Sequence, residues 1–170
     1  MPPDARPTTR EENNTVSETE EIQLVVFRLG REEYATPIFV VSEIVHLPER
    51  LTAVPGAAAH IVGMMNLRGN VLPVLDLSTR LGLQTPDATE GQRVLVLERE
   101  GVRVGYVVDA VTEVLRLPRH RLEPAPQLSS DQARLFAHVA NLVEQQRMIQ
   151  IIETAELFDG AADDVRDAAE

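Results

Sequence analysis

The stretch GMMNLRGNVLPVLDL, from Gly63 to Leu77, decides the fold. Two apolar runs, Met64 to Leu67 and Val71 to Leu75, flank a short turn of Arg68, Gly69 and Asn70 and have the content of buried strands. Gly69-Asn70 supplies the tolerance of positive φ that a tight hairpin turn demands. The reading is a β-hairpin with a charged tip. Pro73 cannot donate to a ladder, so the second strand is expected to lie at a sheet edge or to carry a bulge. Asp76 or Ser78 then caps a short helix that runs through Leu81 and stops at Gly82.

Further strands flank this hairpin. IQLVVFRL, from Ile22 to Leu29, turns at Gly30-Arg31 into a second strand around Glu33 to Thr36, which Pro37 interrupts. Ile38 to Leu47 fits a helical turn followed by a strand, and periodicity alone does not separate the two. Ala57 to Ile61 is expected to make a helical turn. Gln84 to Gln92 is an internal loop. Beyond it, Arg93 to Leu97 and Val102 to Val108 flank the turn Arg99-Glu100-Gly101, and Val111 to Leu117 is extended. Pro118 to Gln127 is a loop broken by prolines, and Ser129 to His138 begins like a helix. Val139 to Val143, a polar turn, Met148 to Ile152 and a closing segment through Phe158 complete the chain.

The two halves repeat one another. Val41 to Pro48 reads VSEIVHLP and Val111 to Pro118 reads VTEVLRLP, seventy residues apart. At the same offset LVVF at Leu24 matches VLVL at Val94. Asn66-Leu67 recurs as Asn141-Leu142, and VLPVLDLSTRL from Val71 is echoed by MIQIIETAELF from Met148. Two copies imply duplication of a small β unit, with the halves packed across a shared apolar interface. A unit of some sixty residues buries too little to stand alone, so one cooperative body is expected, with a partner groove at the seam. The copies differ at the hairpin tip: Arg68-Gly69-Asn70 in the first, Val-Glu-Gln-Gln at 143–146 in the second. A specific contact is therefore expected at the first tip, where a guanidinium stands beside a glycine.

Composition narrows the function. The chain has 170 residues, 44% of them apolar and 4% aromatic, and no cysteine, which removes disulfides, thiol catalysis and thiolate metal sites. The net charge of −11 is concentrated at the ends: −4 in residues 1–21, −4 in 159–170 and only −3 between them. Both ends are expected to be disordered acidic tails around a domain at 22–158, with a first repeat at about 22–83 and a second at about 93–158. No basic stripe offers itself to nucleic acid. No apolar run is long enough to span a bilayer, and MPPDARPTTREENN carries no signal segment, so cytoplasmic placement without membrane insertion is expected.

Catalytic signatures are missing. His46, His60, His120 and His138 are scattered without metal-ligand spacing, and there is no nucleophile elbow, phosphate loop or dinucleotide fingerprint. No catalytic residue, cofactor or metal is assigned. Asp76, Asp109 and Glu113 read as strand-end and capping carboxylates. Glu43 interrupts an apolar run and needs a partner or solvent, because an unpaired buried carboxylate is too costly. Arg68 is the candidate partner.

In GMMNLRGNVLPVLDL, in the V-x-E-I segment at Val41 to Ile44 and in VGYVVDAVTEVLRLP at Val104 to Pro118, the chain resembles the CheW family of bacterial chemotaxis coupling proteins. The resemblance runs from about Gln23 to Phe158. It implies an all-β fold with minor α: two pseudo-repeated, intertwined five-stranded SH3-like β-barrels sharing a core, with short helices at the connections. It also implies a non-catalytic adaptor that couples the cytoplasmic tips of methyl-accepting chemoreceptors to the regulatory domain of a CheA-type histidine kinase, controls its autophosphorylation and associates peripherally with membrane receptor arrays. On that resemblance Arg68 and Glu43 lie near the kinase and receptor contacts, with Val41, Ile38, Gly63 and Gly69 around them and Val107 and Val108 lining a receptor groove. The competing reading is an independent β-barrel module that binds a peptide or an oligonucleotide outside chemotaxis.

Overall fold

The computed structural model describes residues 20–83, 91–126 and 134–158. Among these, eleven strands follow one another as β1 (Glu21–Leu29), β2 (Glu32–Pro37), β3 (Val41–His46), β4 (Ile61–Leu67), β5 (Asn70–Asp76), β6 (Arg93–Arg99), β7 (Val102–Val108), β8 (Ala110–Pro118), β9 (Leu122–Pro124), β10 (Phe136–Leu142) and β11 (Arg147–Ile152). They form a six-stranded sheet ordered β8-β1-β2-β11-β10-β9 and a five-stranded sheet ordered β3-β6-β7-β5-β4.

The sequence repeat explains both orders at once. By the offsets above, β1, β2, β3, β4 and β5 correspond to β6, β7, β8, β10 and β11. Each sheet therefore has the same strand order, with its first two repeat strands from one copy and the other three from the other copy. The exchange is sealed by two parallel ladders, β2 with β11 and β5 with β7. Even the extra strand has a counterpart, since Leu122 of β9 lies seventy residues after Thr52, which makes an isolated bridge to Met64. The copies interlock, as the expected fold requires.

The alternation of β-branched and polar residues along the strands feeds three apolar clusters. Leu24, Val26, Ala35, Leu117, Ala140, Leu142, Ile149 and Ile151 fill the concave side of the first sheet. Leu72, Val74, Val94, Val96 and Val107 fill that of the second. The opposite faces of β1 and β6 contribute Val25, Phe27, Leu95 and Leu97 to a shared cluster between the sheets. There Tyr34 lies between Phe27 and Phe136, with ring centroids 6.2 and 5.8 Å away, so both copies contribute to one aromatic stack. Each sheet thus curls about an interior of its own, but among the described residues no ladder joins its margins. The expected closed five-stranded barrels are two curled, open sheets, and the first gains β9 as a sixth strand.

Several local expectations shift. The corners of the β4–β5 turn are Arg68 and Gly69, with φ of 53° and 87°, while Asn70 already belongs to β5. The Asn66 side chain accepts the Gly69 amide at 2.8 Å and fixes the turn. β5 is an interior strand rather than an edge, because the β7 ladder begins at Val74, one residue after Pro73, and Pro73 itself pairs only with Met64 of β4. The bulge lies in β4, at Ile61/Gly63. Ile38–Val40 form a 3-10 turn ahead of β3. Residues 57–61 make reverse turns and not a helical turn, with Ala57 bonded to Val54 and Ile61 to Ala58. The segment after Pro118 holds a 3-10 turn, Arg119–Arg121, and β9, so it is not a plain loop. The helix expected at Ser129 to His138 gives way, over its described part, to the start of β10 at Phe136; its first residues lie outside the described ones. So do most of the loop at Gln84 to Gln92 and the acidic ends, except that Glu20 and Glu21 already belong to the folded body. Asp76 does cap the helix Leu77–Arg80, accepting the Ser78 amide at 3.1 Å.

Because every sheet needs strands from both copies, separate fragments spanning residues 22–83 and 93–158 are expected to lack native β structure alone and to regain it on mixing. Circular dichroism and amide shift dispersion of each fragment and of the mixture check this. Native dispersion in either fragment by itself would contradict the interlock.

Candidate docking surface at the arginine hairpin

The β4–β5 hairpin carries Arg68 at its tip, and β3, at the far margin of the same sheet, carries Glu43. The sheet's curl brings them together: Arg68 Nη1 donates to Glu43 Oε2 at 3.2 Å. The pair is lopsided, with the Arg68 side chain 77% exposed and that of Glu43 only 17%. Glu43 has the same parity along β3 as Val45, which packs on the second sheet's own cluster, so its stem reaches inward while its carboxylate meets the guanidinium at the rim. An ion pair this open adds little stability. What it does is hold a cation, presented to solvent, over the end of the sheet. Val71, 70% exposed and three residues after Arg68, and Ile44, 41% exposed and next to Glu43 in sequence, supply apolar surface.

The second copy builds the same clasp in a different form. Glu113, seventy residues after Glu43, lies on β8, and Arg147 opens β11 just past the longer tip. Arg147 Nη2 donates to Glu113 Oε1 at 2.7 Å and to Glu33 Oε1 at 2.6 Å, and its Nε donates to Glu33 Oε2 at 3.0 Å. The bidentate grip on Glu33, which is on β2, ties one copy to the other. Here the guanidinium is only 25% exposed. The hydrogen bonds from Arg147 hold the Glu33 carboxyl below the usual carboxylate range, and the two carboxylates push the Arg147 guanidinium further up. Of two related arginines, one is consumed inside the fold and the other is left available.

The other sequence-derived site residues divide. Gly69 forms the tip corner. Ile38 is 37% exposed and Val41 partly buried, both within six residues of Glu43 along the chain. Gly63 is buried, and a Cβ there would sit 2.7 Å from the Thr52 carbonyl oxygen; its part is to admit the backbone at Thr52, which bridges to Met64, against β4. Val107 and Val108 are 7% and 0% exposed, packed in the second-sheet cluster and the shared cluster. They face inward, so neither lines an open groove. Sequence reasoning took Glu113 and Asp109 as structural carboxylates, and they are: Asp109 Oδ2 accepts the Gly30 amide at 2.6 Å. It missed Arg147 and Glu33. The signal was present, since Glu113 repeats Glu43 and so called for a second arginine near the second tip.

These features define a class: a mostly β protein of two interlocked copies in which one duplicated hairpin is sealed and the other presents a cation beside apolar side chains. The chain belongs to the CheW-like domain family, whose profile matches residues 23–162. It is 38% identical over 136 residues to the probable chemotaxis protein CheW of Rhizobium etli, covering 80% of this chain and 86% of that protein. It is 35% identical, with the same coverage, to the chemotaxis protein CheW of Rhizobium meliloti. The crystal structure of the scaffolding protein TtCheW from Thermoanaerobacter tengcongensis superposes with a TM-score of 0.71 at 32% identity, covering 78% of this chain and 84% of that one. Among the described residues no helix is long and apolar enough to cross a membrane.

The two arginines are expected to respond differently to removal. Arg147→Ala strands two carboxylates and should cost about 1–3 kcal/mol, whereas Arg68→Ala should cost under about 1 kcal/mol. Glu33 binds its proton less tightly folded than unfolded, so its share of stability is present above its ordinary value near 4.5 and is lost as pH falls through the depressed folded value. Urea unfolding from pH 7 down to pH 3 should accordingly show a shallower acid loss in Arg147→Ala than in the wild type. Parallel curves would detach Glu33 from Arg147.

Proposed function

We propose that this protein is a non-catalytic adaptor of bacterial chemotaxis, joining the cytoplasmic tips of methyl-accepting chemoreceptors to the regulatory domain of a histidine kinase and so setting its autophosphorylation. The observation that carries the reading is Arg68: a guanidinium 77% exposed, fixed in direction by a two-residue turn and a single carboxylate, on a chain of the CheW-like family. Such a group offers a partner two parallel hydrogen bonds from a planar fork, and its restrained geometry lowers the entropy cost of binding. Glu43 orients it. Gly69 lets a partner backbone approach, and Ile38, Val41, Ile44 and Val71 supply the apolar margin. The working body is residues 22–158, with repeats at 22–83 and 93–158, acting in the cytoplasm at the membrane face of receptor arrays. Individual contacts in such an array can be modest, because linking many sites raises the effective concentration of each.

Affinity capture from native lysate with the wild type and with Arg68→Glu tests this, with bound proteins identified by mass spectrometry. The wild type should retain a histidine kinase and chemoreceptors. The variant should lose one or both while unfolding within about 1 kcal/mol of the wild type. Retention of neither by the wild type would end the adaptor reading, and a loss of several kcal/mol in the variant would make Arg68 a structural residue.

A further inference from the structure

Both sheets carry a ring of charged side chains at one end, and the second ring differs from the first by the inversion of one pair. In the first sheet Arg28 of β1 stands opposite Glu33 of β2 in the antiparallel register. Seventy residues on, at the same place in the second sheet, Glu98 of β6 stands opposite Arg103 of β7. The other members keep their sign: Glu113 with Arg147 in the first sheet, Glu43 with Arg68 in the second. By alternation along their strands, Arg28 and Glu33 share the side of Val26 and Ala35, and Glu98 and Arg103 share that of Val96 and Val107. Each set therefore lies on the concave side of its own sheet.

That inversion changes how the charges meet. Across β8, β1, β2 and β11 the first ring reads Glu113, Arg28, Glu33, Arg147, and it closes through the bond from Arg147 to Glu113. Every neighbour is opposite in sign. Across β3, β6, β7 and the β4–β5 tip the second ring reads Glu43, Glu98, Arg103, Arg68, and it closes through the bond from Arg68 to Glu43. Here two guanidiniums follow one another, with no carboxylate of the ring between them. The bonds are correspondingly longer. Arg147 reaches its two carboxylates at 2.6, 2.7 and 3.0 Å. Arg68 reaches Glu43 at 3.2 Å, and Arg103 reaches Glu98 Oε2 through Nε and Ser42 Oγ through Nη2 at 3.4 Å each. Successive cations repel one another, and a carboxylate placed between them relieves both. With side chains 77% and 36% exposed, Arg68 and Arg103 are open to one arriving from outside.

We propose that a bound partner protein supplies that carboxylate: an aspartate or glutamate side chain enters between Arg68 and Arg103, in the role that Glu33 plays between Arg28 and Arg147. The first ring is the template, since it holds in place, from the chain itself, the group that the second ring lacks. The proposal rests on the adaptor reading and adds to it a second partner-binding residue, Arg103, and the chemistry of the group that the site takes.

A charge-swapped variant, Glu98→Arg with Arg103→Glu, tests this, because it keeps the cross-strand pair and gives the second ring the alternating order of the first. The full-length wild type should sediment with receptor-bearing membranes and purified histidine kinase. The swapped protein should unfold at the same urea concentration as the wild type, yet bind about tenfold more weakly to the protein that supplies the carboxylate. A merely structural role for Arg103 predicts the reverse, wild-type binding after the swap. Zero-length coupling gives an independent reading. The chain has no lysine, so Arg103→Lys, which keeps the charge, places its one side-chain amine at the ring. Treated with a water-soluble carbodiimide in the assembly, that amine should form an amide with an aspartate or glutamate of the kinase or receptor, located by mass spectrometry. The exposed control Arg116→Lys, on β8, should form none. Coupling confined to Glu43 or Glu98 of the same chain, or a swapped protein that binds both partners as the wild type does, would overturn the proposal and leave the adaptor reading in place. Binding of neither partner by the wild type would end both.

Discussion

The structure depends on the exchange of strands between copies. β2 pairs with β11 and β5 with β7, so neither sheet exists until both halves of the chain are in place. These parallel pairings join residues far apart in sequence, and the entropy of bringing them together is repaid only when the shared cluster between the sheets forms too. Leu24, Phe27, Val74, Leu75, Val94, Tyr106 and Ile149 are each at 0% exposure. At roughly 1.5–3 kcal/mol for each large apolar side chain removed from water, this continuous burial makes the two copies one cooperative body. A hairpin tip anchored in such a body is a stiff platform.

That rigidity is used unequally. Duplication places a glutamate at matching points of β3 and β8 and a hairpin arginine within reach of each. In the second copy the longer tip lets Arg147 turn inward, where Glu33 and Glu113 neutralise it and bind the copies together. In the first copy the two-residue turn leaves Arg68 outside, with only Glu43 to steer it. The chain has sixteen arginines and no lysine. The planar fork serves both purposes, gripping a carboxylate within the fold or presenting itself to one outside.

Much of this was legible in the residues. The hairpin at Gly63 to Leu77, the duplication and the Glu43–Arg68 pairing follow from alternation, turn chemistry and the cost of an unpaired carboxylate. Where the reading slipped, tertiary context overrode a local rule. Pro73 suggested an edge, yet the β7 ladder starts one residue later and needs no donor from it. Ser129 to His138 had the polar opening of a helix, but Phe136 packs on the shared core beside Tyr34, and the segment extends into β10. Val107 and Val108 sit in a run whose two faces are both buried, one by the second-sheet cluster and one by the shared cluster, so a sequence pattern that reads as available apolar surface is core. Arg147 escaped notice because its partner Glu33 is 114 residues away, a distance only the interlock closes.

An adaptor works by coupling, and coupling is measured directly by its output. With purified kinase and receptor-bearing membranes held at fixed concentrations, the rate of kinase autophosphorylation is measured with and without this protein, before and after a receptor ligand is added. The account predicts stimulation that requires receptors and this protein together and that the ligand reverses. A rate unchanged by the protein, although it sediments with both partners, would contradict it.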